Sequence, residues 1–94
     1  MSTEKAQRDF ERRIAANSFT LAGYTSDTGI PIYHRVWTKQ DDTLEVRIML
    51  SGTYPLVTIK RNGRIDNKFI RDYTSPQRAM NAIREIVRWA GFEM

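Results

Sequence analysis

Ninety-four residues suffice for one domain, because a chain this short buries only about 60–65 % of its unfolded surface and cannot divide that core in two; residues 1–94 are therefore read as a single α+β domain. Hydrophobic residues make up 40 %, charged residues 28 % and aromatic residues 11 %, which excludes wholesale disorder, and the lack of cysteine excludes disulfides, thiolate catalysis and sulfur-ligated zinc. Fifteen Lys and Arg against eleven Asp and Glu leave a net charge of +4, with Arg the commoner base, so the expected partners are acidic: nucleic acid, or an acidic protein or nucleoprotein surface.

The chain begins "MSTEKAQRDFERR", charged where a signal peptide needs an apolar core, and no apolar run approaches the roughly 18–20 residues of a membrane span. A cytoplasmic protein without membrane contact is expected. From Thr3 to about Asn17 the spacing is helical. Ala6, Phe10 and Ile14 recur every fourth residue, and Lys5, Arg8 and Arg12 lie on the opposite side. The helix stops either at Asn17-Ser18 or at a Gly23 cap, and 19–24 is read as a short extended segment.

"YTSDTGIP" is a turn cluster. It spells Asp27-Thr28-Gly29, the triplet that resembles the active-site motif of retroviral-type aspartic proteases, but it follows "YTS" rather than an apolar strand, so a turn supplied with Asp, Thr and Gly accounts for it. "IPIYHRVW" (30–37) alternates as a strand, and the polar "TKQDD" leads into "TLEVRIML", where Leu44, Val46, Ile48 and Leu50 share one face and Glu45, Arg47 and Met49 the other. "SGTYP" turns the chain into "LVTIKR". Asn62-Gly63 is a strong type I′ hairpin signal, and "RIDNKFIR" returns antiparallel.

Ser75-Pro76 opens the last helix as N-cap and first helical residue. Its stripe is Ala79, Ile83, Ile86, Val87 and Ala90, its outer face carries Arg78, Arg84 and Arg88, Trp89 lies at the border, and Gly91 terminates it. The expected architecture is a two-layer α+β sandwich, an antiparallel four-stranded meander flanked by an N-terminal and a C-terminal helix.

A symmetric five-residue loop over 38–42 sets Trp37 against Thr43, so that Ile32, His34 and Val36 join the apolar face and Tyr33, Arg35 and Trp37 join the reverse face with Arg47 and Lys60. The next turn sets Val46 against Ile59 and Glu45 against Lys60. In the last strand, either a bulge exchanges the faces or Ile65 and Phe69 make the reverse face partly apolar.

The reverse face, basic and aromatic, is the expected docking surface: Tyr33, Arg35, Trp37, Arg47 and Lys60, with Arg8 and Arg12 beside them. His34 is read as a core-edge histidine. No phosphate loop, nucleophile elbow, paired catalytic carboxylates or metal-ligand spacing is present, so no catalytic, cofactor or metal site is expected. The helix–strands–helix order resembles that of double-stranded RNA-binding domains and of the small ribonuclease toxins built on them. That resemblance implies RNA contact, although the last helix starts "SPQRAM" with Arg78 alone, where those domains carry several lysines.

Three functions follow as expectations. The first is a non-catalytic protein docking its basic surface on nucleic acid or a nucleoprotein. The second is a small inhibitor or host-interaction protein of the phage or mobile-element kind, bound to a protein complex. The third is a His34-dependent small ribonuclease. An exposed edge on strand 64–71 also invites pairing with a second copy as a homodimer.

Overall fold

The computed structural model describes residues 3–51, 54–72 and 76–94, with side chains described for Lys5, 8–49, 55–66 and 77–94. The elements run α1 (Thr3–Ala16), β1 (Thr20–Tyr24), β2 (Pro31–Lys39), β3 (Asp42–Ser51), β4 (Tyr54–Arg61), β5 (Arg64–Asp72) and α2 (Pro76–Trp89). The five strands form one antiparallel meander in the order β1-β2-β3-β4-β5, one strand more than the sequence pattern predicts. The added strand is the segment 19–24, whose irregular composition hides a pairing with β2 that includes a register shift between Leu21 and Gly23.

Both helices end in the same device. At the end of α1, Phe19 N–H donates to the Ile14 carbonyl and Ser18 N–H to that of Ala15. At the end of α2, Phe92 N–H donates to Val87 and Gly91 N–H to Arg88. These are paired Schellman caps, in which the residue after the left-handed position folds back on the last turn. Ser18 (φ 65°) and Gly91 (φ 88°) hold the left-handed positions, and the apolar pairs Phe19 with Ile14 and Phe92 with Val87 are all buried. The Ser18 cap settles the end of α1 at Ala16 rather than near Gly23. The Ser75 N-cap and the 52–53 turn lie outside the described residues.

The core lies between one face of the sheet and both helices. Phe10 and Ile14 from α1, and Ala79, Met80, Ile83 and Val87 from α2, pack with Trp37, Leu44, Val46, Ile48, Val57 and Ile59 from the sheet. The β3–β4 register is the expected one, with Val46 opposite Ile59, Ile48 opposite Val57 and Glu45 opposite Lys60. Asn62 (φ 53°) and Gly63 (φ 81°) make the left-handed pair of a type I′ turn, setting Ile59 against Asp66 and Lys60 against Ile65. Past that point the register shifts, and Val57 pairs with Arg71. Both alternatives for this strand are thus met: Ile65 is exposed, and the ladder is irregular beyond it; the side chain of Phe69 lies outside the described set.

The β2–β3 hairpin departs from expectation. Both strands continue into the polar loop until Lys39 pairs with Asp42, leaving Gln40 and Asp41 as a two-residue turn with Gln40 at φ 55°. Trp37 therefore pairs with Leu44 rather than Thr43, Arg35 with Val46 and Tyr33 with Ile48. A slip of one residue exchanges the faces of a strand. Tyr33, Arg35 and Trp37 turn toward the helices, and Ile32, His34 and Val36 turn away.

Candidate functional site

The sheet face opposite the helices carries no covering element among the described residues. Its rungs follow from the register. Ile32, Met49 and Leu56 form one row, His34, Arg47 and Thr58 the next, and Val36, Glu45, Lys60 and Ile65 the third. Val36 and Ile65 are 48 % and 52 % exposed, β-branched side chains of high strand propensity left facing solvent at the two ends of a rung whose middle is Glu45 and Lys60.

Glu45 organises the centre of this face. Its Oε2 lies 2.8 Å from His34 Nδ1, which donates the hydrogen bond, and its Oε1 lies 3.2 Å from Arg47 Nε. Burial by itself raises the Glu45 carboxyl, but the hydrogen bond from His34 and the positive charge of Arg47 outweigh it and hold the group below the ordinary glutamate value. The carboxylate fixes His34 through Nδ1, which directs Nε2 away from it. His34 is thus a member of the uncovered face, not a core-edge residue; the alternation that seemed to bury it belongs to the other side of β2.

Of the residues expected to bind a partner, Arg47 and Lys60 share this face. Tyr33, Arg35 and Trp37 do not. The Trp37 indole N–H donates to the Glu93 carbonyl at 2.9 Å, its ring meets Phe19 edge-on at 6.3 Å between centroids, and the Arg35 guanidinium sits 4.6 Å from its centroid. Arg35 also donates through Nη1 to the Asn17 carbonyl at 2.9 Å, just past the last turn of α1, where a cation is favourable. Tyr33 faces α1. Burial raises its phenol, and the charge and hydrogen bond of Glu11, together with Tyr24, push it the same way. These three residues tie α1 and the C-terminal segment to the sheet. Arg8 and Arg12 are exposed on the far side of α1, across the molecule from Arg47 and Lys60.

Sequence reasoning placed His34 and Val36 on the wrong face of β2, whereas it set Glu45 on the reverse face with Arg47 and gave Ile65 there as one of two alternatives. The signal was present as the second parity of "IPIYHRVW", which is nearly as apolar as the first. Asp27-Thr28-Gly29 is a surface turn: Asp27 Oδ1 accepts from the Thr28 N–H at 2.9 Å, Gly29 N–H donates to the Thr25 carbonyl at 3.0 Å, and Asp27 is exposed. Among the described residues no three His, Asp or Glu side chains gather as a metal ion would require, and no helix is long and apolar enough to cross a membrane.

Compared with protein-family models, with curated proteins and with solved structures, the chain matches none.

Proposed function

We propose that this chain is a non-catalytic binding protein that docks the uncovered face of its sheet on an acidic, partly apolar surface of another protein. The observation that carries the reading is the composition of that face: Val36 and Ile65 exposed at the two ends of one rung, with Glu45 and Lys60 between them and Arg47 on the neighbouring rung, ion-paired to Glu45. Exposed β-branched residues interleaved with cations suit a protein interface, where apolar contact supplies affinity and charge supplies orientation. Binding of single-stranded nucleic acid calls instead for aromatic rings as stacking platforms. Tyr33 and Trp37, the aromatic residues of β2, are engaged on the helix side.

The test is capture of partners from nuclease-treated cell extract by three baits: the wild type, Val36→Glu with Ile65→Glu, and Arg84→Glu with Arg88→Glu on the outer side of α2. A discrete protein retained by the wild type and the helix variant but lost by the sheet variant supports the reading. Capture that disappears with nuclease, or that depends on Arg84 and Arg88, overturns it in favour of nucleic acid. Salt separates the same alternatives, because phosphate binding releases counterions and weakens steeply, whereas an apolar interface responds little.

A second reading rests on a different observation, the His34–Glu45–Arg47 cluster. Glu45 accepts from Nδ1, leaving His34 Nε2 available as a base, and Arg47 places a cation beside it. In RNA cleavage the imidazole would take the 2′-hydroxyl proton while that oxygen attacks the adjacent phosphorus and displaces the 5′-oxygen, which is protonated by water. A 2′,3′-cyclic phosphate and a 5′-hydroxyl end would result. Cleavage of single-stranded RNA by the wild type and its loss in His34→Ala supports this reading; cleavage that persists in His34→Ala ends it.

A further inference from the structure

Trp89, the last residue of α2, is 89 % exposed. An indole left in water forgoes the large apolar burial that makes tryptophan the most valuable residue at many interfaces. Beside it lies a hollow of about 180 Å³ between the end of α2 and the sheet, floored by Leu44, Ile59 and Ile86 and walled by Arg61 and Asp66, with Trp89 on its rim. That volume falls below the usual range for small-molecule pockets, about 300–1,000 Å³, and is of side-chain size. The apolar floor calls for an apolar occupant. The wall narrows the choice to an aromatic one: the Arg61 guanidinium is held by Asp42 through two hydrogen bonds, at 3.2 and 2.7 Å, and is presented as a fixed cation to whatever ring enters.

We propose that the occupant is Trp89 of a second copy, and that the chain forms a two-fold dimer in which each Trp89 enters the hollow of the other. A knob and its matching hole on one surface patch are what a two-fold interface requires, since each subunit then offers both halves of the contact. The two insertions bury on the order of 300–500 Å² of indole surface, less than the roughly 1,200 Å² of a stable interface, so the dimer is weak and concentration-dependent. Each copy carries a net charge of +4, so the copies repel at long range and salt favours the dimer. Docking on an acidic partner has the opposite salt dependence. The hollow lies on the helix side of the sheet, so a dimer leaves both uncovered faces open.

Sedimentation equilibrium from about 1 µM to about 1 mM, at low and high salt, tests the proposal. The wild type should pass from monomer to dimer, more readily at high salt, with the tryptophan emission moving to shorter wavelength as it does so. Trp89→Ala, a change at an exposed position that leaves the core intact, should raise the dimer dissociation constant about a hundredfold or more, and Arg61→Ala about tenfold. A wild type that remains monomeric throughout overturns the proposal. So does a dimer that persists unchanged in Trp89→Ala, which would point to an edge strand instead. A monomeric wild type whose protein partner is lost in Trp89→Ala overturns it too and assigns the hollow to that partner. Val36→Glu should leave the dimer intact, so that failure of the docking reading and failure of the dimer are told apart.

Discussion

His34 and Glu45 are joined across β2 and β3 on the side of the sheet away from the helices, Nδ1 to Oε2 at 2.8 Å, with Arg47 Nε 3.2 Å from the other carboxylate oxygen. The folded state favours the ionised Glu45, so its carboxyl titrates below the ordinary value of 4.5. Such a group contributes stability that is fully present above its unfolded pKa and lost as pH falls through its folded one. Glu45→Gln should therefore cost about 1 kcal/mol near neutral pH, and the difference from the wild type should shrink as the pH falls below 4.5 and the folded carboxyl takes up its proton. Urea unfolding at a series of pH values measures it. A penalty that persists undiminished in acid would refute the ionic account of this contact.

Trp37 is predicted to act through stability. It fills the space between Phe19, Arg35 and the C-terminal segment and donates to Glu93. Trp37→Ala should cost about 3–5 kcal/mol in denaturant unfolding, the range for deleting a buried aromatic. Trp37→Phe keeps most of the volume, loses the N–H donor, and should cost about 1–2 kcal/mol. A Trp37→Ala protein with wild-type stability would mean that the indole does not reside in the core.

The cap of α1 carries avoidable strain. Ser18 sits at φ 65°, where an L-residue pays about 1–2 kcal/mol and glycine pays nothing beyond its extra freedom when unfolded. Ser18→Gly should raise stability by about 0.5–1 kcal/mol, visible as a higher melting temperature. The equivalent position in α2 is already Gly91.

Asn62 combines two roles in the type I′ turn. It tolerates the left-handed conformation, and its Oδ1 accepts from the Thr43 N–H at 2.8 Å while its own N–H donates to the Thr43 carbonyl, also at 2.8 Å. Asn62→Ala loses the side-chain bond and adds backbone strain, so about 1–2 kcal/mol of destabilisation is expected. Asn62→Gly should recover most of it by relieving the strain alone. Equal stability of the two variants would show that the side-chain bond dominates.

Much of the architecture could be read locally. Phe10 and Ile14 at helical spacing, the strict alternation of β3, Asn62-Gly63, and the Ala79-Ile83-Val87 stripe each specify an element through neighbours a few residues away, and each is found where that spacing puts it. The β3–β4 register followed as well, because Leu44, Val46 and Ile48 on one strand and Val57 and Ile59 on the other leave one arrangement that buries them all. Segment 19–24 was recognised as extended but not as a strand. Its exposed residues carry no alternation, and its backbone pairing with β2 is what makes it one.

The candidate site was the part least legible. "IPIYHRVWTK" is apolar at both parities, Ile32 and Val36 on one and Tyr33 and Trp37 on the other, so period-two reasoning cannot choose between its faces. What the sequence by itself determined is both helices, four of the five strands, their antiparallel order and the identity of most of the core. What only the tertiary structure decided is which face of β2 meets the helices. Lys39 and Asp42 close a two-residue turn, shifting the pairing by one, and the helix layer offers the Trp37 indole Phe19 to pack on and the Glu93 carbonyl to bond. The side chain with the most surface to bury and an N–H to satisfy goes where both needs are met, and His34 and Val36 are left on the outside as a consequence.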